Sequence, residues 1–252
     1  MNEVLGHLKS DEEGFFGREC PQCEGYFKIQ FGTGLKGENL PFYCPYCGHK
    51  DNQDTFWTKD QLKHINSHAL RHIQNEFSKI FKKASTRSKS SSGFGVTIEY
   101  KAGRPQPIHY YREKKLQEEV ICDKCTLRYA IYGTFGYCPD CGAHNSLQIL
   151  KTNFTIIEKI LVAAESSVQA IKDKLIENGL EDVVSAIDGY GRELSKLFAP
   201  KSSNPVRAQN ISFQNIEGAQ MNLVTLFSID ITQAISPTEW NDLKGLFQKR
   251  HL

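Results

Sequence analysis

The chain has 252 residues, of which 39% are hydrophobic and 24% charged, with a formal net charge of +2; such a composition excludes wholesale disorder and leaves room for two or three domains. No stretch approaches the roughly eighteen consecutive apolar residues of a membrane helix, and the opening MNEVLGHLKSDEEG has no secretory apolar core, so the expected setting is cytoplasmic with no membrane partner. All eight cysteines fall into four Cys-x2-Cys pairs with none left over, which in a reducing compartment favours metal ligation over disulfides.

The first quartet is Cys20-Pro21-Gln22-Cys23 followed, after twenty residues, by Cys44-Pro45-Tyr46-Cys47-Gly48. A Cys-x2-Cys turn points two thiolates at one ion, and a hairpin between two such turns closes a tetrahedral cage. Between the pairs Phe27, Ile29 and Phe31 alternate with Lys28 and Gln30, the signature of a strand. Gly32 to Gly37 then predict a loose loop and Leu40 to Tyr43 a return toward the metal. A module this small buries too little apolar surface to fold alone, so the ion supplies its stability, roughly 10–16 kcal/mol in comparable sites. Four sulfurs leave no open coordination position, so the expected role is structural rather than hydrolytic.

A helix is predicted from Thr58 to about Lys83. Thr58 and Gln61 have capping-box spacing, and Leu62, Ile65, Ala69, Ile73, Phe77 and Ile80 recur at helical intervals as a candidate core face. His64, His68 and His72 stand four apart on another face; they read as a solvated polar face, with a metal site or phosphate-contacting stripe as the alternative. Ser85 to Gly93 form a polar linker, and Val96, Ile98 and Tyr100, the Gly103-Arg104-Pro105 turn and Ile108 to Tyr111 predict a hairpin. From Lys59 to Lys115 thirteen Lys or Arg face four Asp or Glu, a net of +9 against +2 for the whole chain. Arg71, Lys79, Lys82, Lys83, Arg87, Lys89, Arg104, Arg112, Lys114 and Lys115, interleaved with Phe77, Phe81, Phe94, Tyr100, Tyr110 and Tyr111, are the expected nucleic-acid contacts, with either RNA or DNA as partner. The bland alternative is that the cations solubilise a linker while the rings pack inward.

The second quartet is Cys122-Asp123-Lys124-Cys125, twelve residues, then Cys138-Pro139-Asp140-Cys141-Gly142. Leu127, Tyr129 and Ile131 alternate with their neighbours, Gly133 to Gly136 supply a turn, and Gly142 is placed to take a positive φ that turns backbone N–H groups toward the sulfurs. Both quartets resemble zinc ribbons. The cofactor expected is two Zn2+ ions, with iron the lesser alternative because Cys-Pro-x-Cys-Gly knuckles also hold iron in rubredoxin-like sites.

Beyond Asn145 the pattern becomes helical. Ile156, Ile160, Ala164, Val168, Ile171 and Leu175 predict one helix, closed by Asn178-Gly179 as a left-handed cap; Val183, Val184, Ile187, Leu194 and Leu197 predict a second, ending near Pro200. Gly189 and Gly191 inside it point to close helix packing. Lys201 to Ala208 read as a loop, Phe213 to Phe227 as a third helix, and Ser236-Pro237-Thr238-Glu239 as the start of a fourth. The four helices and the Arg250-His251 step resemble a HEPN (higher eukaryotes and prokaryotes nucleotide-binding) domain over roughly residues 150–252. That resemblance implies a ribonuclease of prokaryotic defence type, with Arg250 and His251 in its signature and a catalytic histidine three residues past Leu252, so this chain by itself is expected to be inactive. The helices otherwise form a scaffold or a homodimer interface.

The expectation is an α+β protein: a first zinc ribbon (1–57), a basic helix, linker and hairpin (58–115), a second zinc ribbon (116–149) and an all-α four-helix domain (150–252). The leading function is a zinc-binding protein with a nucleic-acid-contacting face and a helical association domain. A HEPN-type ribonuclease and a protein–protein adaptor are the alternatives.

Overall fold

The computed structural model describes residues 8–34, 41–84, 101, 103–116 and 118–249. The chain divides into two compact units between Ala143 and His144. The first contains β1 (Phe15–Glu19), β2 (Tyr26–Gln30), β3 (Phe42–Tyr43), β4 (Lys50–Asp51), α1 (Lys59–Ala84), β5 (Glu118–Ile121) and β6 (Arg128–Ile131). The four longer strands make one antiparallel sheet in the order β1-β2-β6-β5, and β3 pairs with β4.

The hairpins differ from the expected ones. The long paired strands flank the first cysteine pair of each quartet instead of linking its two pairs. β1 and β2 run to and from Cys20-Cys23 with Phe16 opposite Ile29, and β5 and β6 run to and from Cys122-Cys125 with Val120 opposite Tyr129. The sequence does not announce β1 or β5: FFGRE has a glycine in mid-strand and EEVI opens on two carboxylates, so neither alternates cleanly. β2 then pairs with β6, Ile29 opposite Tyr129. The two quartets therefore share one sheet and one core, in which Phe27, Ile29, Phe56, Leu127, Tyr129 and Ile131 pack with the buried cysteines. Each such side chain contributes about 1.5–3 kcal/mol by leaving water.

Helix α1 starts on its capping box: Thr58 N–H donates to Gln61 Oε1 (3.1 Å) and Gln61 N–H donates to Thr58 Oγ1 (3.1 Å). Its orientation corrects the sequence reading. Leu62, Leu70, Ile73, Phe77 and Ile80 are exposed, whereas Gln61 and His64, on the polar side, are buried. Hydrogen bonding decides the matter, because segment 103–116 runs beside α1 without forming a strand and its backbone groups need partners. Ser67 Oγ accepts the His109 N–H (3.0 Å), Gln74 accepts the Gln106 N–H (2.9 Å) and donates to the Arg104 carbonyl (3.0 Å), and Gln61 Nε2 donates to the Gly17 carbonyl (3.0 Å). Ile108–Tyr111 is thus not the returning strand of a hairpin. Residues 35–40 of the first loop, the Ser85–Gly93 linker and Val96, Ile98 and Tyr100 lie outside the described residues.

The second unit, among the described residues, is built of α2 (Ser146–Glu165), α3 (Gln169–Phe198), the single turn α4 (Pro205–Ala208), α5 (Ile216–Phe227) and α6 (Pro237–Lys249). The helix expected from Ile156 to Leu175 is two helices. It breaks where the Ser166 and Ser167 hydroxyls donate back to the Ala163 carbonyl (3.1 and 2.8 Å) and Val168 turns extended. Asn178-Gly179 caps nothing; α3 runs through it, and Gly179 faces Leu161 and Ile157 of α2. At Gly191 a Cβ would lie 2.5 Å from the ring of Phe213, so the close packing there is against the segment before α5 rather than against another helix. Buried Asp188, one turn before Arg192, accepts the Phe213 N–H (2.6 Å) and Arg192 Nε (2.9 Å). α6 opens on the expected box, with Ser236 N–H donating to Glu239 (2.7 Å) and Glu239 N–H to Ser236 Oγ (3.2 Å). No helix among the described residues is long and apolar enough to cross a membrane.

Candidate metal centres

The four Cys-x2-Cys turns are built alike. In each, the residue four positions after the first cysteine has a positive φ: Glu24 (57°), Gly48 (70°), Thr126 (64°) and Gly142 (69°). Its N–H donates back to the first cysteine's carbonyl at 2.9–3.0 Å. The chain then returns in step, so that the N–H of Cys20, Cys44, Cys122 and Cys138 each donates to the carbonyl five residues later, at 2.7–3.0 Å. Glycine takes this left-handed conformation without penalty, whereas Glu24 and Thr126 pay about 1–2 kcal/mol for it.

Each quartet draws its sulfurs together. Cys20, Cys23, Cys44 and Cys47 form one set and Cys122, Cys125, Cys138 and Cys141 the other, with all sulfurs of a set within 4.8 Å of one another. Sγ pairs lie 3.7 Å (Cys20–Cys47), 3.5 Å (Cys23–Cys44), 3.6 Å (Cys122–Cys141) and 3.4 Å (Cys125–Cys138) apart. A disulfide needs about 2.05 Å, whereas a tetrahedral ion about 2.3 Å from each sulfur sets them roughly 3.8 Å apart. The spacing fits a caged ion. Gln22 N–H and Tyr46 N–H donate to the sulfurs of Cys20 and Cys44 (both 3.4 Å), the support thiolates require.

The thiols are electrostatically unequal. Burial opposes ionisation of Cys20 and Cys122, yet backbone N–H donors, from Cys23 and Gln22 in one case and Cys125 and Lys124 in the other, bring both below the usual thiol value. Burial pushes Cys23, Cys44 and Cys138 up, and Cys125 up to about 12. A cation reverses that burial effect by holding all four as thiolates, so loading releases protons.

The second turns of the two quartets are locked to each other. Tyr43 N–H donates to the Pro139 carbonyl (2.8 Å) and Tyr137 N–H to the Pro45 carbonyl (2.9 Å). The Tyr43 ring covers Gly142 and the Tyr137 ring covers Gly48, where a Cβ would stand 2.9 and 3.1 Å away. This reciprocal exchange joins the second turns of the two quartets, as the β2–β6 pairing joins their strands.

The expected nucleic-acid contacts are distributed unevenly. Lys79, Lys82 and Lys83 are exposed on the last turns of α1, with Lys79 paired to Glu76 (2.7 Å). Arg71 is half-buried on the same helix, and Arg104, Arg112, Lys114 and Lys115 are exposed on segment 103–116. Lys114 Nζ stands 5.1 Å from the Tyr26 ring. Phe77 and Phe81 are exposed and stacked, centroids 6.3 Å apart. Tyr110 is exposed, whereas Tyr111 is half-buried. Arg87, Lys89, Phe94 and Tyr100, and the HEPN-signature pair Arg250 and His251, lie outside the described residues.

Two residues carry more than their sequence positions suggest. Arg18 is 3% exposed, with its guanidinium over Trp57 (4.5 Å), Phe31 (5.2 Å) and Phe42 (5.9 Å); burial lowers its pKa to about 10, which leaves it charged at neutral pH. A lone arginine in FFGRE gives no hint of that. His64 is buried in the wall of a cavity, although its i, i+4 spacing with His68 was visible. No protein-family model, curated protein or solved structure matches the chain, so the sulfur geometry carries the assignment: an α+β protein with two four-cysteine sites fit to hold metal ions, consistent with two zinc ions.

Proposed function

We propose that both cages hold structural zinc and that the sheet they stabilise presents α1 to a single-stranded nucleic acid. Four thiolates favour Zn2+ over hard cations. The observation that carries the nucleic-acid reading is the C-terminal half of α1, which bears both the exposed cations Lys79, Lys82 and Lys83 and the exposed, stacked rings of Phe77 and Phe81. Exposed cations and exposed aromatic rings on one short stretch are the two elements that a charged strand with stackable bases requires. The test is oligonucleotide binding across a salt series. If three phosphates are contacted, replacing the three lysines with glutamine lowers the slope of log K against log salt by about 2, and removing either phenylalanine costs about 1–3 kcal/mol. Absence of binding at about 50 mM salt, or an unchanged slope in the triple variant, refutes the reading.

A second reading, a protein–protein adaptor, is favoured by Leu62, Leu70, Ile73 and Ile80, which with Phe77 make an exposed apolar stripe on α1. Ile73→Asp with Ile80→Asp separates the two: an adaptor loses its partner, whereas phosphate contacts keep their salt slope. The homodimer expected of the helical unit draws on Val162, Val168 and Ile171, all more than half exposed there.

A further inference from the structure

We propose that His64 and His68 form a third metal site, distinct from the cysteine cages and set in the wall of a cavity, for a divalent transition cation such as Zn2+, Ni2+ or Cu2+. Four residues apart on α1, their rings project from one helix face with centroids 4.5 Å apart. His64 Nδ1 lies 2.5 Å from the His109 carbonyl. A carbonyl can only accept, so Nδ1 carries the proton and the lone pair sits on Nε2. This is the arrangement of metal-bound imidazoles, in which a backbone acceptor fixes the tautomer and turns the other nitrogen to the ion. His64 is 5% exposed and its Nε2 is buried with no hydrogen-bond partner, a state that costs about 1–3 kcal/mol unless something binds there.

The surroundings suit an ion. Both histidines line a cavity of about 980 Å³ whose wall carries five carboxylates against four Lys or Arg, a balance that tolerates added positive charge. Two of these carboxylates are already engaged: Asp11 with Lys28 (2.7 Å), and Glu113 with Tyr26 OH (2.5 Å) and Gln61 Nε2 (3.1 Å). The donors assigned to the site are the two imidazoles, a ligand type that selects zinc, nickel and copper rather than magnesium or calcium. Two protein ligands leave the remaining positions to water or a small ligand in the cavity, so this centre, unlike the cages, can exchange ligands. A core histidine with an unmet acceptor is the competing account, and the two diverge in experiment.

Protein carrying two zinc ions per chain, verified by elemental analysis, is titrated with Ni2+ by calorimetry while released zinc is followed with an indicator dye. The expected result is one further equivalent bound without zinc release. His64→Ala and His68→Ala should each weaken it by more than the roughly 10–100-fold that loss of an outer-shell partner costs, while His72→Ala, the next histidine on the helix and exposed, leaves it unchanged. His68 is less buried than His64, so its variant decides the matter if His64→Ala fails to fold. The proposal is overturned if no third equivalent binds, if nickel uptake is matched mole for mole by zinc release, or if binding survives in both alanine variants.

Discussion

The joined sheet predicts that damage to one cage is felt in the other. Cys138 is fully buried and belongs to the second quartet, so Cys138→Ser removes that site's ion and with it about 10–16 kcal/mol of local folding free energy. That is as large as the whole stability of a typical domain, about 5–15 kcal/mol, and the second ribbon therefore unfolds locally. The first ribbon keeps its own cysteines but loses the β2–β6 pairing and the cover that Leu127, Tyr129 and Ile131 give to Phe27 and Ile29. Re-exposing those two side chains costs about 3–6 kcal/mol. At 1.4 kcal/mol per tenfold, zinc affinity at the intact first quartet falls about 10²–10⁴-fold. Competition with a chromogenic chelator, in wild type and Cys138→Ser, measures this affinity at Cys20, Cys23, Cys44 and Cys47. If the first site holds zinc as tightly in the variant as in the wild type, the ribbons are independent modules and the reasoning fails.

Two further outcomes concern the helical unit. Gly191→Ala should lower its stability by about 1–3 kcal/mol, read as a shift of the denaturant midpoint, because the added methyl meets the Phe213 ring at 2.5 Å and must displace it. His144 gives a pH dependence. Burial lowers its pKa although Glu193, 3.5 Å away, pulls the other way. A depressed imidazole pKa means that folding favours the neutral ring, so this stability is complete above the unfolded value near 6.5 and is lost as pH falls through it toward the lower folded value. His144→Gln should flatten the stability–pH curve in that window; an unchanged curve would remove His144 as its cause.

The metal sites were legible because cysteine pairing is a local code: the turn, its ligands and its left-handed fourth position all lie within five residues. Capping was legible for the same reason, at Thr58-Gln61 and Ser236-Glu239. The helix break at Ser166 was not, since Ile160, Ala164, Val168 and Ile171 keep helical spacing across the point where the Ser166 and Ser167 hydroxyls turn onto the Ala163 carbonyl. Sequence periodicity identified an apolar stripe on α1 but not the direction in which it points.

Taken alone, the order of residues determined the two sulfur quartets, the helical character of the C-terminal part and the concentration of positive charge around α1, because each is written in spacing or composition over short stretches. Only the tertiary structure decided that β2 pairs with β6 to make two ribbons one sheet, that α1 turns Gln61 and His64 inward and its aliphatic stripe outward, and that Arg18 sits among three rings. Those outcomes depend on which backbone groups, far apart in the chain, must satisfy one another's hydrogen bonds. Spacing along a single segment carries no information about that.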